Sequence, residues 1–316
     1  MMGDHFPSRR TLVGVAAAAA AMPAFAMGKS PSTQGYAEVP GGRVWWRRVG
    51  DGPGTPLLLL HGGPGGGHDY LSPLGALANQ RPVIFYDQLG CGRSESPGES
   101  SIYTIQRSVD EVDAVRRALG LNEVILYGHS WGSILAIEYL CQGRGRGVQK
   151  LVLAGAIAST PQFVAGAHRL LAQMPNHVGE RILALDAAGK SDTPEYEGLV
   201  QSFYDAHVCR RKPLPPEVKR TYDNLSKSIA YKVMNGPNEF TVTGVIRDWD
   251  RRADLSRIRL PTFITTGQYD EVSLDCHQTI HKAVAGSSLQ VFSDCSHLTM
   301  NEKPRDYVAA VRRFIA

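Results

Sequence analysis

The chain has 316 residues, of which 43% are hydrophobic and 20% are charged. This balance excludes a disordered or collagen-like protein, and the length fits one large domain with an insertion as well as it fits two domains. The net charge of +4 comes from short, scattered basic segments, so no nucleic-acid partner is predicted.

Residues 1–26 have the features of a signal peptide. Arg9 and Arg10 precede an apolar, alanine-rich run over residues 12–22, and residues 24–26 supply small side chains for cleavage. The arginine pair indicates the twin-arginine route, and the run is short for a membrane-spanning helix. We expect a periplasmic or secreted protein with no stable membrane association after cleavage. An uncleaved anchor is the alternative.

The cysteines do not form a metal-binding or redox pattern. None stands in a Cys-x-x-Cys pair, and an odd number cannot all form disulfides: they are Cys91, Cys141, Cys209, Cys276 and Cys295. Cys91 and Cys295 lie near the motifs described below, and we interpret both as small buried hydrophobic side chains. No metal or organic cofactor is expected.

Strand-like and helical segments alternate along most of the chain. The strand-like segments are Tyr36–Val39, Arg43–Val49, Leu57–Leu60, Pro82–Tyr86, Val124–Tyr127, Leu151–Ala154, Thr262–Thr265 and Leu289–Phe292. Most are wholly apolar, which is typical of strands buried on both faces. Amphipathic helical patterns, such as 109–119, 134–140 and 307–315, separate many of them. The alternation predicts an α/β fold, a mainly parallel sheet with helices on both faces.

Residues 157–245 interrupt this alternation. Helical patterns dominate there, for example over 162–174 and 179–187, and strand-like runs are scarce. We interpret this segment as a helical cap inserted after the fourth apolar core strand. The predicted core then comprises residues 27–156 and 246–316.

A Gly-x-Ser-x-Gly motif, Gly128-His129-Ser130-Trp131-Gly132, lies directly between a predicted strand and a predicted helix. A sharp strand-to-helix turn strains the central residue and leaves no room for side chains two positions away, so glycine is needed there. The turn exposes the serine oxygen at a helix N-terminus. Ser130 is therefore the predicted nucleophile.

A serine nucleophile needs a base and an acid that orients the base. This type of fold orders them Ser, Asp or Glu, then His, so both should lie late in the chain. His297 follows the last predicted strand and is the predicted base, whereas His277 and His281 fall in a predicted helix and are expected at the surface. Asp270 follows the strand over residues 262–265 and is the predicted acid. Glu271 is its nearest competitor, and the weaker ones are Asp275 and Asp294.

An oxyanion hole needs two backbone N–H donors. One is expected from Trp131, the residue after the nucleophile, and the other from Gly63 in the glycine-rich loop over residues 61–67. A phosphate-binding loop is the rival interpretation. The loop lacks both a Gly-Lys-Ser/Thr ending and Gly-x-Gly-x-x-Gly spacing before a helix, which argues against a nucleotide site.

Three motifs resemble the signatures of the proline iminopeptidase group of α/β-hydrolases. They are His61-Gly62-Gly63-Pro64-Gly65-Gly66, Asp87-Gln88-Leu89-Gly90-Cys91-Gly92-Arg93-Ser94 and Gly128-His129-Ser130-Trp131-Gly132-Ser133. Residues 235–240 and 294–297 are also similar to segments of that group, especially its tricorn-interacting-factor-like branch. The resemblance extends from about Tyr36 to the C-terminus. It implies an α/β-hydrolase fold and a serine hydrolase that releases an N-terminal residue, often proline, from short peptides.

Related members of the group act on amino-acid amides, so a small peptide or an amide is the expected partner; no oligomeric state is predicted. The resemblance implies that Glu239 binds the free amine of the substrate; the sequence alone equally allows a structural role at a helix cap. A second acidic partner is expected in the cap, among Glu195, Glu197, Asp205 and Glu217. An esterase or lactonase with the same machinery is the alternative function, and a non-catalytic ligand-binding protein on the same fold is a further one.

Overall fold

The computed structural model describes residues 31–316, so the predicted signal peptide lies outside the described residues. Eight strands in this range form one sheet in the order β1-β2-β4-β3-β5-β6-β7-β8. Their bounds are β1 Ser32–Val39, β2 Gly42–Val49, β3 Leu57–Leu60, β4 Val83–Tyr86, β5 Val124–His129, β6 Val148–Ala154, β7 Thr262–Gly267 and β8 Ser288–Phe292. β2 pairs antiparallel with β1 and β4, and every other neighbouring pair is parallel. The predicted α/β fold is confirmed.

The central strands are apolar because both of their faces are covered. All four leucines of β3 have no exposed surface. Leu58 and Leu60 belong to one hydrophobic cluster, and Leu57 and Leu59 belong to a second cluster on the opposite face of the sheet. Successive side chains of a strand point to opposite faces, so an unbroken apolar run serves two cores. Each leucine so buried contributes about 1.5–3 kcal/mol.

The helices of the same range divide between the two faces and the segment that joins β6 to β7. They are α1 Ile105–Ala118, α2 Trp131–Cys141, α3 Thr160–Ala172, α4 Val178–Ala187, α5 Pro194–His207, α6 Pro216–Lys227, α7 Ile229–Met234, α8 Leu274–Ala283, α9 Thr299–Glu302 and α10 Pro304–Ile315. α1, α2 and α8 pack on one face of the sheet, and α10 packs on the other. None of the helices in residues 31–316 combines the length and the apolar composition that crossing a membrane requires.

Helices α3 to α7 lie between β6 and β7 and form the cap. Ser159 and Asp250 make an isolated antiparallel bridge, so the chain enters and leaves the cap side by side. The cap has a small hydrophobic cluster of its own, which includes Leu171, Phe203 and Phe240. Such a cluster keeps the helices together while leaving room between the cap and the sheet.

The exit from the cap is tied to the helix that follows the predicted nucleophile. Glu138 of α2 accepts hydrogen bonds from Arg251 at 2.7 Å and from the indole N–H of Trp249 at 2.8 Å. Burial alone would raise the pKa of Glu138, but the hydrogen bonds from Arg251, Trp249 and Gln142 outweigh it and lower the pKa to about 2. Glu138 is therefore ionised and holds the returning chain near α2.

Candidate active site

Ser130 occupies a strained turn between β5 and α2. Its φ of 55° and ψ of −122° lie outside the regions that ordinary residues favour, and such strain is typical of catalytic corners. A Cβ atom at Gly132 would lie 2.0 Å from the carbonyl oxygen of Leu60, and one at Gly128 would lie 2.3 Å from that of Gly132. A side chain at either glycine of the motif would therefore clash with the backbone.

His297 and Asp270 are hydrogen bonded to each other in the core of the molecule. Nδ1 of His297 donates to Oδ1 of Asp270 at 2.7 Å, and both residues are at most 5% exposed. The same carboxylate accepts from the N–H of Val272 and the hydroxyl of Thr266, which fix its orientation. Burial favours protonation of Asp270, but the charge of His297 and its hydrogen bond outweigh this and lower the pKa. Asp270 is therefore the carboxylate that orients the imidazole.

The imidazole of His297 lies against a glycine and shares a cavity with Ser130. A Cβ atom at Gly155, which follows β6, would lie 2.5 Å from Cε1 of His297, so only glycine leaves the ring in place. Ser130 and His297 both line the cavity under the cap. No hydrogen bond joins Ser130 Oγ to the ring within residues 31–316, so Nε2 of His297 is not yet engaged with the nucleophile.

A buried hydrogen-bond chain connects the glycine-rich loop, the serine turn and the histidine loop. The carbonyl of His297 can only accept, so Nε2 of His129, 3.1 Å away, carries the proton and donates. Nδ1 of His129 must then accept from the hydroxyl of Tyr70 at 2.9 Å, and the Tyr70 oxygen accepts from the N–H of Gly62 at 2.7 Å. Burial lowers the pKa of His129 to about 3, so the ring stays neutral and the chain keeps one direction.

The loop over residues 61–67 presents an unused N–H to the cavity. Nε2 of His61 accepts from the N–H of Gln88, so Nδ1 donates to the carbonyl of Gly62 at 2.9 Å, and Gly66 donates to the same oxygen at 3.1 Å. Because a peptide group is planar, fixing this carbonyl fixes the direction of the Gly63 N–H. Within the described part of the chain, neither this N–H nor that of Trp131 makes a hydrogen bond. Two free, oriented donors beside a serine are what an oxyanion hole requires.

Two carboxyl groups line the same cavity. Glu239 is partly buried and accepts a hydrogen bond from the hydroxyl of Tyr231 at 2.7 Å. Burial raises the pKa of Glu239 and outweighs the hydrogen bond from Tyr231, which lowers it. Glu271 is 3% exposed; one of its oxygens lies 3.5 Å from Nε2 of His297, and the other is buried without a partner. Burial raises the pKa of Glu271 well above its usual range; attraction to His297 opposes this, and repulsion from Glu239 and Asp270 adds to it.

Glu271 lines the cavity, although the sequence analysis did not propose it for the second acidic position. The second acid was expected in the cap, but none of the four candidates, Glu195, Glu197, Asp205 and Glu217, lines the cavity; Glu195, for example, is paired with Arg181 at the surface. Glu271 was considered only as a competitor of Asp270 for the triad. The adjacent pair Asp270-Glu271 at the end of a strand gave no signal that separates the two positions.

The three carboxyl groups act together on the base. Burial opposes a charge on His297, but attraction to Asp270, Glu271 and Glu239 outweighs it and raises the pKa to about 9. The three carboxyl groups thus favour the protonated form of the imidazole in the empty site.

The cavity has a volume of about 430 Å³, within the range of small-molecule sites of about 300–1,000 Å³. Its walls are largely apolar and aromatic, with Tyr204, Tyr222 and Leu225 contributed by the cap. Ser130 and His297 are among its polar lining residues. Such a cavity suits a compact apolar residue with a polar, reactive end.

The last turn of α5 is attached to both loops that supply the triad. The carbonyl of His207 accepts from the N–H of Glu271 at 3.2 Å and from the N–H of His297 at 3.1 Å. The carbonyl of Val208 accepts from the N–H of Leu298 at 3.0 Å. This part of the cap thus forms part of the floor of the site.

Two other histidines have structural environments. His277, expected at the surface, is fully buried, because it is on the inner side of α8 and its Nε2 accepts from the N–H of Ala156 at 2.9 Å. His61 lies near Asp87 and Cys91, and the side-chain atoms of the three that could bind a metal ion are within 4.8 Å of one another. Both ring nitrogens of His61 are used in hydrogen bonds, and Asp87 accepts from His68 and Arg93. This cluster therefore fits a structural role.

Comparison with known proteins agrees with this geometry. The family model of the α/β hydrolase fold matches residues 55–304. The proline iminopeptidase of Saccharolobus solfataricus is 40% identical over 286 residues, covering 89% of this chain and 92% of the relative. The crystal structure of VinJ is 34% identical with a TM-score of 0.86, covering 90% of this chain and 98% of that one. That of the Mycobacterium smegmatis proline iminopeptidase is 31% identical with a TM-score of 0.83, covering 90% and 97%. The chain belongs to the α/β-hydrolase superfamily and, within it, to the proline iminopeptidase family.

Proposed function

We propose that the protein is a serine hydrolase that releases the N-terminal residue, preferably proline, from short peptides and also hydrolyses amino-acid amides. The observation that carries this proposal is the pair of carboxyl groups, Glu239 and Glu271, beside Ser130 and His297. Burying two acids in an apolar cavity is costly unless a cation neutralises them. The ammonium group of an unblocked N-terminus is such a cation and lies next to the scissile carbonyl.

The chemistry follows from the positions of the groups. Ser130 Oγ attacks the carbonyl carbon while Nε2 of His297 takes its proton, and Asp270 stabilises the imidazolium. The N–H groups of Gly63 and Trp131 hold the oxyanion. His297 then protonates the departing nitrogen, and water repeats the sequence on the acyl-enzyme. These steps use side chains and backbone alone.

The position of the acids limits cleavage to the first residue. Glu271 lies 3.5 Å from the imidazole that would serve Ser130, so we expect the acids to bind the amine of the same residue whose carbonyl is attacked. An acetylated substrate would place a neutral amide where the ammonium group should bind, and losing that ion pair costs about 3 kcal/mol, or about a hundredfold in rate.

The test compares free and blocked amines on one leaving group. Proline p-nitroanilide should be hydrolysed at least about a hundredfold faster than N-acetylproline p-nitroanilide, as judged by kcat/KM. Prolinamide should also be a substrate, and Ser130→Ala should abolish turnover of all three. Equal rates with free and acetylated proline would contradict the proposal.

An esterase or lactonase is the alternative. Solved esterases share the fold, for example that of Exiguobacterium antarcticum at 21% identity and a TM-score of 0.67, which bears on the fold alone. A neutral ester has no use for two buried acids, which favours the amine-directed activity. A non-catalytic binding role is disfavoured because nucleophile, base, acid and free N–H donors occur around one cavity.

We also propose that the protein is exported through the twin-arginine route. The support is the sequence of residues 1–26, with Arg9 and Arg10 before an apolar run. Replacing both arginines by lysine should leave the protein in the cytoplasmic fraction, whereas the unaltered chain should be recovered from the periplasm or medium. Export that does not depend on the two arginines would contradict this route.

A further inference from the structure

The nitrogen that must act as the base faces a carboxyl group in the empty site. Nδ1 of His297 donates to Asp270, so Nε2 is the sole ring atom able to take the proton of Ser130. Nε2 faces an oxygen of Glu271 at 3.5 Å, and no hydrogen bond joins it to Ser130 in the described residues. A carboxyl group is therefore close enough to Nε2 to share a proton with it.

A single proton between Glu271 and His297 is enough to block the base. It can reside on Nε2, which gives an imidazolium beside a carboxylate, or on Glu271, which gives a carboxylic acid facing a neutral ring. In the first arrangement Nε2 has no lone pair to offer, and in the second its lone pair faces the O–H of Glu271. Both side chains are at most 4% exposed, so water does not readily separate them.

We infer that Glu271 makes the general base conditional on the substrate: it engages Nε2 of His297 in the empty site, and the ammonium group of the bound substrate releases it. This inference rests on the amine recognition proposed above. The second oxygen of Glu271 is buried without a partner, so the carboxyl group has unused capacity to accept a hydrogen bond. Selectivity for free amines then acts on the chemical step as well as on binding.

The charge balance of the site favours this exchange. The ring of His297 is surrounded by Asp270 and Glu271 on the loop after β7, by Glu239 from the cap, and by two neutral histidines, His129 and His277. When an ammonium group enters, the shared proton leaves to solvent through the cavity. One positive charge replaces another, so the net charge of the buried cluster does not change. Nε2 of His297 is then free to accept the proton of Ser130.

The first test uses the unaltered enzyme and supplies the cation separately. Methylammonium chloride should accelerate hydrolysis of p-nitrophenyl acetate at pH 7, because the small cation releases Nε2 without filling the acyl site. A rise of severalfold is expected, with sodium chloride at equal ionic strength as the control. Inhibition, or no effect at any concentration of methylammonium, would overturn the inference.

The second test removes the blocking carboxyl group. In Glu271→Gln, kcat/KM for p-nitrophenyl acetate at pH 7 should rise about tenfold, as expected if the pKa of the base falls by about one unit. The activation by methylammonium should vanish, and hydrolysis of proline p-nitroanilide should weaken. Glu239→Gln removes a charge from the same cavity but not the contact with Nε2, so its pH profile for the ester should move less. An equal or larger shift in Glu239→Gln would overturn the inference.

The outcomes separate this inference from the proposed function. If the enzyme prefers free amines but methylammonium does not activate ester hydrolysis, the amine recognition stands and the control of the base by Glu271 is refuted. If free and acetylated proline anilides react equally, the proposed function fails and this inference fails with it.

Discussion

Replacing Glu239 by glutamine should damage hydrolysis of free-amine substrates far more than that of neutral esters. The substitution keeps the size of the side chain and an oxygen for the Tyr231 hydroxyl, which lies 2.7 Å from the carboxylate. It removes the charge that would face the substrate ammonium. The change is therefore in electrostatics and not in the shape of the cavity.

The size of the effect follows from the position of Glu239. Two unit charges about 4 Å apart attract each other by about 4 kcal/mol at the effective dielectric constant of partly buried sites. Because the side chain is partly buried and Glu271 can still bind the cation, a net loss of about 3 kcal/mol is expected, or about a hundredfold in kcat/KM. A neutral ester makes no such contact, so its kcat/KM should change by less than about threefold.

The assay measures kcat/KM for proline p-nitroanilide and p-nitrophenyl acetate in parallel, with active sites titrated by a covalent serine reagent. Tyr231→Phe is the matched variant, because it keeps the carboxylate and removes the hydroxyl that orients it. The loss expected there is about 1 kcal/mol, or about fivefold, on the amine substrate. Equal losses on both substrates in Glu239→Gln, or no loss on the anilide, would refute amine recognition by this residue.

Three further predictions concern the support of the site. Tyr70→Phe leaves the Gly62 N–H and Nδ1 of His129 without partners and should lower kcat about 10- to 100-fold with little change in KM. Tyr86→Phe is the control, because it removes an equally buried hydroxyl that has no partner; its kcat should stay within about twofold of that of the unaltered enzyme. Similar losses in both variants would refute the positioning role of Tyr70. Gly155→Ala places a methyl group 2.5 Å from the ring of His297 and should reduce kcat more than a hundredfold, roughly 3 kcal/mol, while circular dichroism shows a folded chain. The pKa of Glu138 is lowered to about 2 when folded, so its contribution is present above its ordinary pKa of 4.5 and is lost as pH falls toward 2. The loss of unfolding free energy between pH 5 and pH 2, measured by urea unfolding, should be smaller in Glu138→Gln by on the order of 3 kcal/mol.

The elements with strong local signals were predictable from the sequence. The parallel strands were recognisable because both faces are buried, which leaves unbroken apolar runs such as Leu57–Leu60. The serine turn was recognisable because two glycines at fixed spacing are demanded by space. Boundaries were less accurate: α1 begins at Ile105, capped by Thr104, and not at residue 109, because its first turn is polar and lacks the apolar periodicity.

The roles that depend on tertiary contacts were not predictable. Nothing in the sequence around Glu271 separates an acid that orients the base from one that faces the ligand, since the two are adjacent. His277 was expected at the surface because a helical pattern alone does not say which side of α8 packs against Ala156. The chain from Gly62 through Tyr70 to His129 joins residues far apart in sequence, and only the fold brings them within hydrogen-bond distance.

The carbonyl of His207 has a consequence for engineering substrate range. It ties the end of α5 to the backbone of Glu271 and His297, so this turn is shared between the cap and the loops that carry these two side chains. A chimera in which α3 to α5 come from another protein should therefore keep residues 204–209 of this chain. Chimeras whose junction lies within residues 204–209 would change the cavity and would also displace the imidazole of His297.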